Sequence, residues 1–303
     1  MFRVGALRSF RAGTRVPPVL DIEQTIHALI LGICGALLLC VAMPVYIARH
    51  VGPGKMPPLP QGRISTAGFG LGDVLGVMFF LILYAGALVG ETPELTRATL
   101  LVVADSQAAF AIVVVAILFW RVDLMQAWGV RWRHWLLGLA AIPVVIVMYA
   151  FMYLLEVTQY NAWVAGLVEG DPTQEMVKVL QEANDPVILG LTALVAVIGA
   201  PLSEEIIFRG YIYPVVTRLL GMKFSVVFSA ALFAAVHLNL HALLPLFLLG
   251  IILAVSYEMT GSLWMPIAIH MAFNGATVVL NQLRRIRPEL FEEAGEAALL
   301  WPG

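Results

Sequence analysis

Long apolar runs constrain this chain more than any other feature of its sequence. A helix needs about 20 mostly apolar residues in a row to cross a membrane, and by that measure the chain offers about eight candidates. They lie near residues 26–47, 70–90, 99–120, 135–157, 187–202, 224–238, 242–259 and 263–283. Only helices and closed barrels satisfy their backbone hydrogen bonds in lipid, and runs of this length favour helices. The sequence therefore predicts an all-α, multi-pass integral membrane protein.

Composition supports this class and argues against others. Hydrophobic residues make up 60% of the 303 residues and charged residues 13%, whereas soluble domains are about 25% charged. The formal net charge of −2 gives no indication of a nucleic-acid partner. The high apolar content makes the lipid bilayer the expected environment. Cys34 and Cys40 lie in one apolar run, where a helix places them on different faces. We expect two reduced packing residues and no disulfide.

Polar stretches divide the chain into successive parts. These are a basic tail (1–25), N-terminal transmembrane helices (26–157), a polar loop (158–186), a C-terminal transmembrane core (187–285) and a C-terminal tail (286–303). The apolar run after the basic tail begins late for a signal peptide, and we expect it to be retained. Within the polar loop, the spacing of Met176, Val179 and Leu180 predicts a short amphipathic helix.

Charge gives conflicting signals about orientation. Positive residues favour the cytoplasmic side of a membrane, and both termini are basic, with Arg3, Arg8, Arg11 and Arg15 at one end. The basic loop 121–133 and the acidic loop 158–186 instead favour external termini if there are eight spans. We expect cytoplasmic termini and a bacterial plasma membrane.

Ionisable side chains inside the apolar C-terminal half are the most informative residues. Each charge at the bilayer centre costs about 2.5–3.5 kcal/mol or more, so such groups usually face a cavity or one another. Glu204 and Glu205 point about 100° apart on a helix. Glu205 and Arg209, four residues apart, can pair, which leaves Glu204 on another face. His237 follows Phe233 by four residues, after small residues that let a neighbouring helix approach closely.

A polar stripe marks the last apolar run. His270 and Asn274 lie four residues apart, and Thr277 and Asn281 roughly continue their face. Taken singly, each polar group has an ordinary explanation: a solvated helix end, a satisfied buried imidazole or a hydrogen bond between helices. Taken together, a carboxylate, two imidazoles and an amide on three helices are the groups that activate water and bind an oxyanion. The sequence therefore predicts a polar cavity inside the bundle.

These motifs resemble a known family. Glu204-Glu205-x-x-x-Arg209, Phe233-x-x-x-His237 and His270-x-x-x-Asn274 are similar, in this order, to the signature of the CPBP family of intramembrane glutamic endopeptidases. That family includes type II CAAX prenyl endopeptidases, ABI proteins and bacteriocin-processing proteins, and the resemblance covers roughly 187–283.

The resemblance implies a fold and a set of roles. It implies about eight helices around a conical cavity, with Glu204 and His237 activating water and His270 and Asn274 binding the oxyanion. Glu205, Arg209 and Phe233 would support them. It implies a membrane protein or lipidated peptide as substrate and no cofactor.

Other functions stay open on the sequence alone. Glu204, His237 and His270 could form a zinc site with two histidines and one carboxylate, although the sequence contains no His-Glu-x-x-His motif. A member of the same family could also be a non-catalytic immunity or scaffold protein. A transporter is less favoured, because no matched pair of broken spans indicates an inverted repeat.

Overall fold

The structure, a computed structural model, describes residues 22–50, 62–87, 97–130, 135–168 and 175–292. Several features considered above lie outside these ranges wholly or in part. They are the arginine-rich tail, the stretches 51–61, 88–96, 131–134 and 169–174, and the chain beyond residue 292.

Helices make up all the regular structure of the described ranges. In chain order they are α1 (residues 22–50), α2 (Leu71–Ala87), α3 (Arg97–Phe119), α4 (Leu124–Ala127), α5 (Ala141–Val157), α6 (Tyr160–Ala165), α7 (Glu175–Glu182), α8 (Pro186–Leu220), α9 (Met222–Ala235), α10 (Leu240–Thr260), α11 (Trp264–Ile286) and α12 (Glu289–Glu292). Each of the eight apolar runs falls on a different long helix of this series, which confirms the all-α membrane fold.

The long helices differ in how well they suit a bilayer. By length and composition, the described residues contain 4 helices able to cross a membrane, namely Ile22–Arg49, Gly138–Val157, Pro186–Leu220 and Leu240–Thr260. Shorter apolar helices lie at Leu71–Gly86, Ala108–Phe119 and Met222–Ala235. Helix α11 has the length to cross, but it carries the polar stripe and ends in Arg284 and Arg285. Its polar groups therefore have to face protein or water.

Helix α8 corrects one expectation. The sequence predicted a span near 187–202, whereas the structure has one continuous helix from Pro186 to Leu220. Two π-helical turns interrupt its regular winding, at Val195–Gly199 and Phe208–Ile212. The helix is therefore continuous through the acidic pair, which lies between the two wide turns.

Prolines account for these wide turns. Pro201 and Pro214 each follow a π turn by two residues, and Pro44 follows the π turn of α1 in the same way. A proline ring inside a helix clashes with the carbonyl four residues back and supplies no N–H. A wider turn moves that carbonyl away from the ring, so the helix bends locally and continues.

The core of the bundle is concentrated in α8–α11. Helices α9 and α10 pack so closely that a Cβ atom on Gly250 would lie 2.8 Å from the Cα of Ala230. Ala234 and Ala235 are fully buried, as their small size predicted for a helix that a neighbour approaches closely.

Two smaller expectations are confirmed. The amphipathic helix of the polar loop is α7, in which Leu180 is buried and Val179 half-buried, and Val177 is buried as well. Its Gln181 donates a hydrogen bond to Asn281 on α11, across 2.8 Å. The cysteines are both free, one buried and one exposed.

Candidate active site

The two adjacent acids of α8 have different surroundings. Glu205 is fully buried, and its Oε1 accepts a hydrogen bond of 2.8 Å from Nη1 of Arg209, one turn along the helix. The expected pair between them is therefore present. Glu204 points elsewhere, and its Oε2 is buried with no hydrogen-bond partner in the described part of the chain.

Arg209 brings a full positive charge into the core, and its surroundings compensate for it. Its Nη2 donates to the carbonyl of Gly250 on α10 across 3.0 Å. Its guanidinium carbon lies 4.8 Å from the ring centre of Phe233 and 5.8 Å from that of Phe208. Ion pairing, a backbone acceptor and two aromatic faces together offset the cost of burying this charge.

Glu204 lies between two imidazoles. Its Oε2 is 4.0 Å from Nε2 of His237, at the end of α9, and 4.0 Å from Nε2 of His270 on α11. The side chains of Glu204 and His237 are 14% and 21% exposed. The structure thus brings three of the predicted groups together on three helices.

His237 is held in one tautomer by its own helix. Its Nδ1 lies 2.7 Å from the carbonyl oxygen of Phe233, and a carbonyl accepts only, so Nδ1 is the donor. In the neutral ring, Nε2 then carries the lone pair. The Phe233 ring packs edge-on against both imidazoles, with centroids 4.9 Å from His237 and 5.6 Å from His270.

His270 is linked to the other acid. Its Nδ1 lies 3.0 Å from Oε1 of Glu205, the same oxygen that accepts from Arg209. An ionised carboxylate accepts only, so Nδ1 donates, and Nε2 can donate as well when the ring carries both protons. Glu205 therefore orients His270 through Oε1, whereas Oε2 of Glu204 lies near the Nε2 atoms of both imidazoles.

Asn274 makes a different contact from the one its proposed role requires. Its Nδ2 donates to the carbonyl of Ala196 across 2.8 Å. In the π turn, the N–H of Ala200 donates to the carbonyl of Val195, five residues back. The same pattern would require Pro201 to donate an N–H to the carbonyl of Ala196. Since proline has none, Asn274 satisfies a carbonyl that the helix leaves unpaired.

The rest of the polar stripe also joins helices. Thr277 and Tyr149 of α5 share a hydrogen bond of 3.0 Å between their hydroxyls, and Asn281 accepts from α7 as described above. In the described residues, hydrogen bonding between helices thus accounts for Thr277, Asn281 and one N–H of Asn274. It does not account for the position of Glu204 between two imidazoles.

The zinc alternative can be compared with this geometry. Zinc bonds of about 2.0–2.2 Å place tetrahedral ligand atoms about 3.3–3.5 Å apart, whereas Oε2 of Glu204 lies 4.0 Å from both Nε2 atoms. Among the described side chains, no group of three or more His, Cys, Asp or Glu could hold a metal ion. As placed, these residues do not fit a tetrahedral zinc site.

Comparison with known proteins identifies the region that carries this site. Residues 186–276 match the family model of Rce1-like type II CAAX prenyl endopeptidases. This part of the chain is similar to that family. It contains all of the candidate residues named above, from Glu204 to Asn274.

Relatives of the chain occur in bacteria, and two of them are named as membrane proteins. It is 30% identical over 135 residues to a putative membrane peptidase, YdiL, of Bacillus subtilis, covering 45% of this chain and 52% of that protein. It is 32% identical over 110 residues to the membrane-embedded CAAX protease MroQ of Staphylococcus aureus, covering 34% and 43%. An uncharacterized 24.3 kDa protein of Escherichia coli is 35% identical over 101 residues, covering 32% and 46%. The chain spans about half the length of these curated relatives. No solved structure matches it.

Two residues outside the matched region 186–276 also approach the site. Tyr84 of α2 interacts electrostatically with Glu204, and His27 of α1 interacts with His237. The motifs gave no signal for either residue, because both belong to the N-terminal helices. Their proximity depends on how those helices pack against α8 and α9, which spacing within a motif does not encode.

Proposed function

We propose that this protein is an intramembrane peptidase that hydrolyses a peptide bond near the membrane surface, in the manner of CAAX proteases. One observation carries the proposal: a carboxylate oxygen of Glu204, buried and without a partner in the described residues, lies 4.0 Å from two imidazole nitrogens. Similarity to peptidases of bacterial membranes supports it.

Glu204 and His237 are the proposed activating pair. A water molecule at about 2.8 Å from Oε2 and from Nε2 would bridge the gap between them. Its hydrogens would point to Glu204 and to the lone pair of His237, so a lone pair of the water oxygen remains for attack. Glu204 acts as the general base, a role that contributes about 10²–10⁴-fold to a rate.

The proposed reaction transfers one proton twice. The water oxygen bonds to the carbonyl carbon while Glu204 takes a water proton, which produces a tetrahedral oxyanion. The carbon–nitrogen bond then breaks, and Glu204 gives the proton to the departing amine. His270 Nε2, in the doubly protonated ring, and the second N–H of Asn274 are the proposed oxyanion donors.

Glu205, Arg209 and Phe233 support this arrangement without taking part in proton transfer. Glu205 accepts from His270 and so directs its Nε2 toward Glu204. Arg209 neutralises Glu205, and Phe233 separates the guanidinium from both imidazoles. A supporting shell of this kind fixes the orientation of catalytic groups before substrate arrives.

The proposed substrate is a membrane protein or a lipidated peptide, which diffuses to the site within a bacterial plasma membrane. A prenylated C-terminal Cys-a-a-X sequence is one such substrate, because one relative is a CAAX protease. The conical cavity that would admit it stays a prediction.

The test compares the membrane proteomes of cells that carry wild type, Glu204→Gln or His237→Ala at equal protein levels. We expect truncated peptides with wild type and none with either variant, because both remove the water-activating pair. Cleavage should persist in the presence of a strong metal chelator. The same fragments from Glu204→Gln at the wild-type level would rule out the proposed peptidase.

A further inference from the structure

Helix α2 lies alongside α8 in a defined register. The hydroxyl of Tyr211 donates to the carbonyl of Asp73 across 3.1 Å. A Cβ atom on Gly76 would lie 2.1 Å from that hydroxyl, so glycine is required for this approach. Further along, the rings of Phe80 and Phe208 meet edge-on with centroids 5.5 Å apart. From one contact to the next, the residue numbers rise on α2 and fall on α8, so the two helices run antiparallel.

This register brings Tyr84 to Glu204. Tyr84 follows Phe80 by one helical turn and packs on its ring, with centroids 4.5 Å apart. Glu204 precedes Phe208 by one turn on α8. Residues four apart lie above one another on a helix face. Tyr84 and Glu204 are therefore expected to face each other one helical turn beyond the contact of Phe80 with Phe208. The electrostatic interaction between their side chains agrees with this placement.

The phenol of Tyr84 is uncommitted within the described structure. Neither its hydroxyl nor Oε2 of Glu204 takes part in a hydrogen bond there. The two oxyanion donors proposed above are each partly engaged, because His270 donates to Glu205 and Asn274 donates to Ala196. A phenol is a donor that keeps its proton at neutral pH and needs no second protonation.

We infer that Tyr84 is a further catalytic residue, whose O–H donates a hydrogen bond to the oxyanion formed when water attacks the substrate carbonyl. The inference rests on the proposed function and adds a donor from outside residues 186–276. The proton stays on the phenol throughout, so the transfers through Glu204 are unchanged. A packing role alone would need the ring of Tyr84 and not its hydroxyl.

Tyr84→Phe separates these roles, because it removes the hydroxyl and keeps the ring contact with Phe80. The assay uses a fluorescence-quenched peptide that reproduces a sequence cut in cells by wild type and spared by Glu204→Gln, with purified protein in lipid nanodiscs. We expect kcat to fall about 10²–10³-fold, the usual loss for one oxyanion donor. KM should stay nearly constant, because the oxyanion exists only after attack has begun.

Tyr149→Phe is the matched control, since it removes a tyrosine hydroxyl that joins α5 to Thr277 outside the proposed machinery. Its kcat should stay within about twofold of wild type, as the hydroxyl touches no reacting group. A wild-type kcat for Tyr84→Phe, with Glu204→Gln inactive, would refute the inference and leave the peptidase proposal intact. An equal fall in both tyrosine variants, or a rise in KM alone, would also refute it. Cleavage of the peptide by Glu204→Gln would refute the proposed function itself.

Discussion

The C-terminal helices α8–α11 and the N-terminal helices α1–α5 use apolar sequence in different ways. In α8–α11, buried polar and aromatic groups are packed around Glu204, and large side chains such as Arg209, Tyr213 and Tyr257 are fully enclosed. The N-terminal helices expose many large apolar side chains, among them Phe79 and Ile82. The family match begins only at residue 186. The candidate motif residues are thus concentrated in one region, while the exposed apolar side chains of the other suit contact with lipid.

Two ion pairs show the same contrast on a smaller scale. Glu205 and Arg209 are both fully enclosed. The N-terminal pair joins Asp73 to Arg121 across 2.6 Å, but the Arg121 side chain is 42% exposed. Asp73 also accepts from the backbone N–H of Gly70, so it keeps a donor if the arginine is removed. A buried charge without its partner costs far more than an exposed one.

The largest predicted effect comes from breaking the buried pair. Arg209→Met should destabilise the protein by about 3–5 kcal/mol, because it removes the arginine partner of a buried carboxylate and leaves Glu205 with His270 alone. Adding Glu205→Leu should restore part of that stability. Arg121→Ala should cost about 1 kcal/mol or less. Thermal unfolding in detergent measures all of these variants, and a loss for Arg121→Ala equal to that for Arg209→Met would contradict the contrast between the regions.

Asn274→Ala should come next, as a loss of rate. If Asn274 is an oxyanion donor, kcat should fall about 10²–10³-fold, equivalent to about 2.7–4 kcal/mol of barrier. Thr277→Val, one turn further along the stripe, should cut the peptide at nearly the wild-type rate, because Thr277 bonds to Tyr149 and not to the site. If both variants keep full activity, Asn274 serves only the carbonyl of Ala196.

A pair of glycine substitutions should give a smaller, structural effect. Gly250→Ala places a methyl group against the backbone of Ala230, and overpacking of this kind costs about 1–3 kcal/mol. Gly86→Ala on α2 meets nothing within 4 Å, so it should be neutral or slightly stabilising through helix propensity. Unfolding temperatures of the two variants test the contrast, which fails if Gly86→Ala is the more damaging change.

The smallest predicted effect belongs to a single hydrogen bond between helices. Tyr149→Phe removes its bond to Thr277, and such bonds in membrane proteins average about 0.6 kcal/mol. Unfolding of the variant should therefore differ little from wild type. A loss several times larger would mean that α5 contributes more to the bundle than its lipid-exposed surface suggests.

Some features of the site could be predicted because their cause is local. Glu205 and Arg209 lie one helical turn apart, so their pairing follows from helix geometry wherever that helix forms. The sequence did not predict that α8 extends to Leu220, because prolines inside a helix usually bend or end it and the sequence does not show the π turns that accommodate Pro201 and Pro214. The contact of Asn274 with Ala196 was missed for the same reason, since it depends on the wide turn before Pro201.

Residues distant in sequence were harder to predict. Tyr84 and His27 lie in helices that carry no motif, and only the register of α2 on α8 and of α1 on α9 brings them to the site. In a membrane, lipid and protein interior are equally apolar, so hydrophobicity says little about which face of a helix meets its neighbour. The side chains that meet across these helices therefore leave no periodic signal.

By itself, the sequence determined the class of fold and the position of the helices, because the length of an apolar run and the 3.6-residue period are local quantities. It also placed a carboxylate, two imidazoles and an amide on three of those helices. The tertiary structure decided that Glu204 would lie near both imidazoles, and it brought a tyrosine from another region towards the same point. Those outcomes depend on close packing between helices, which is set by the shapes of many side chains together.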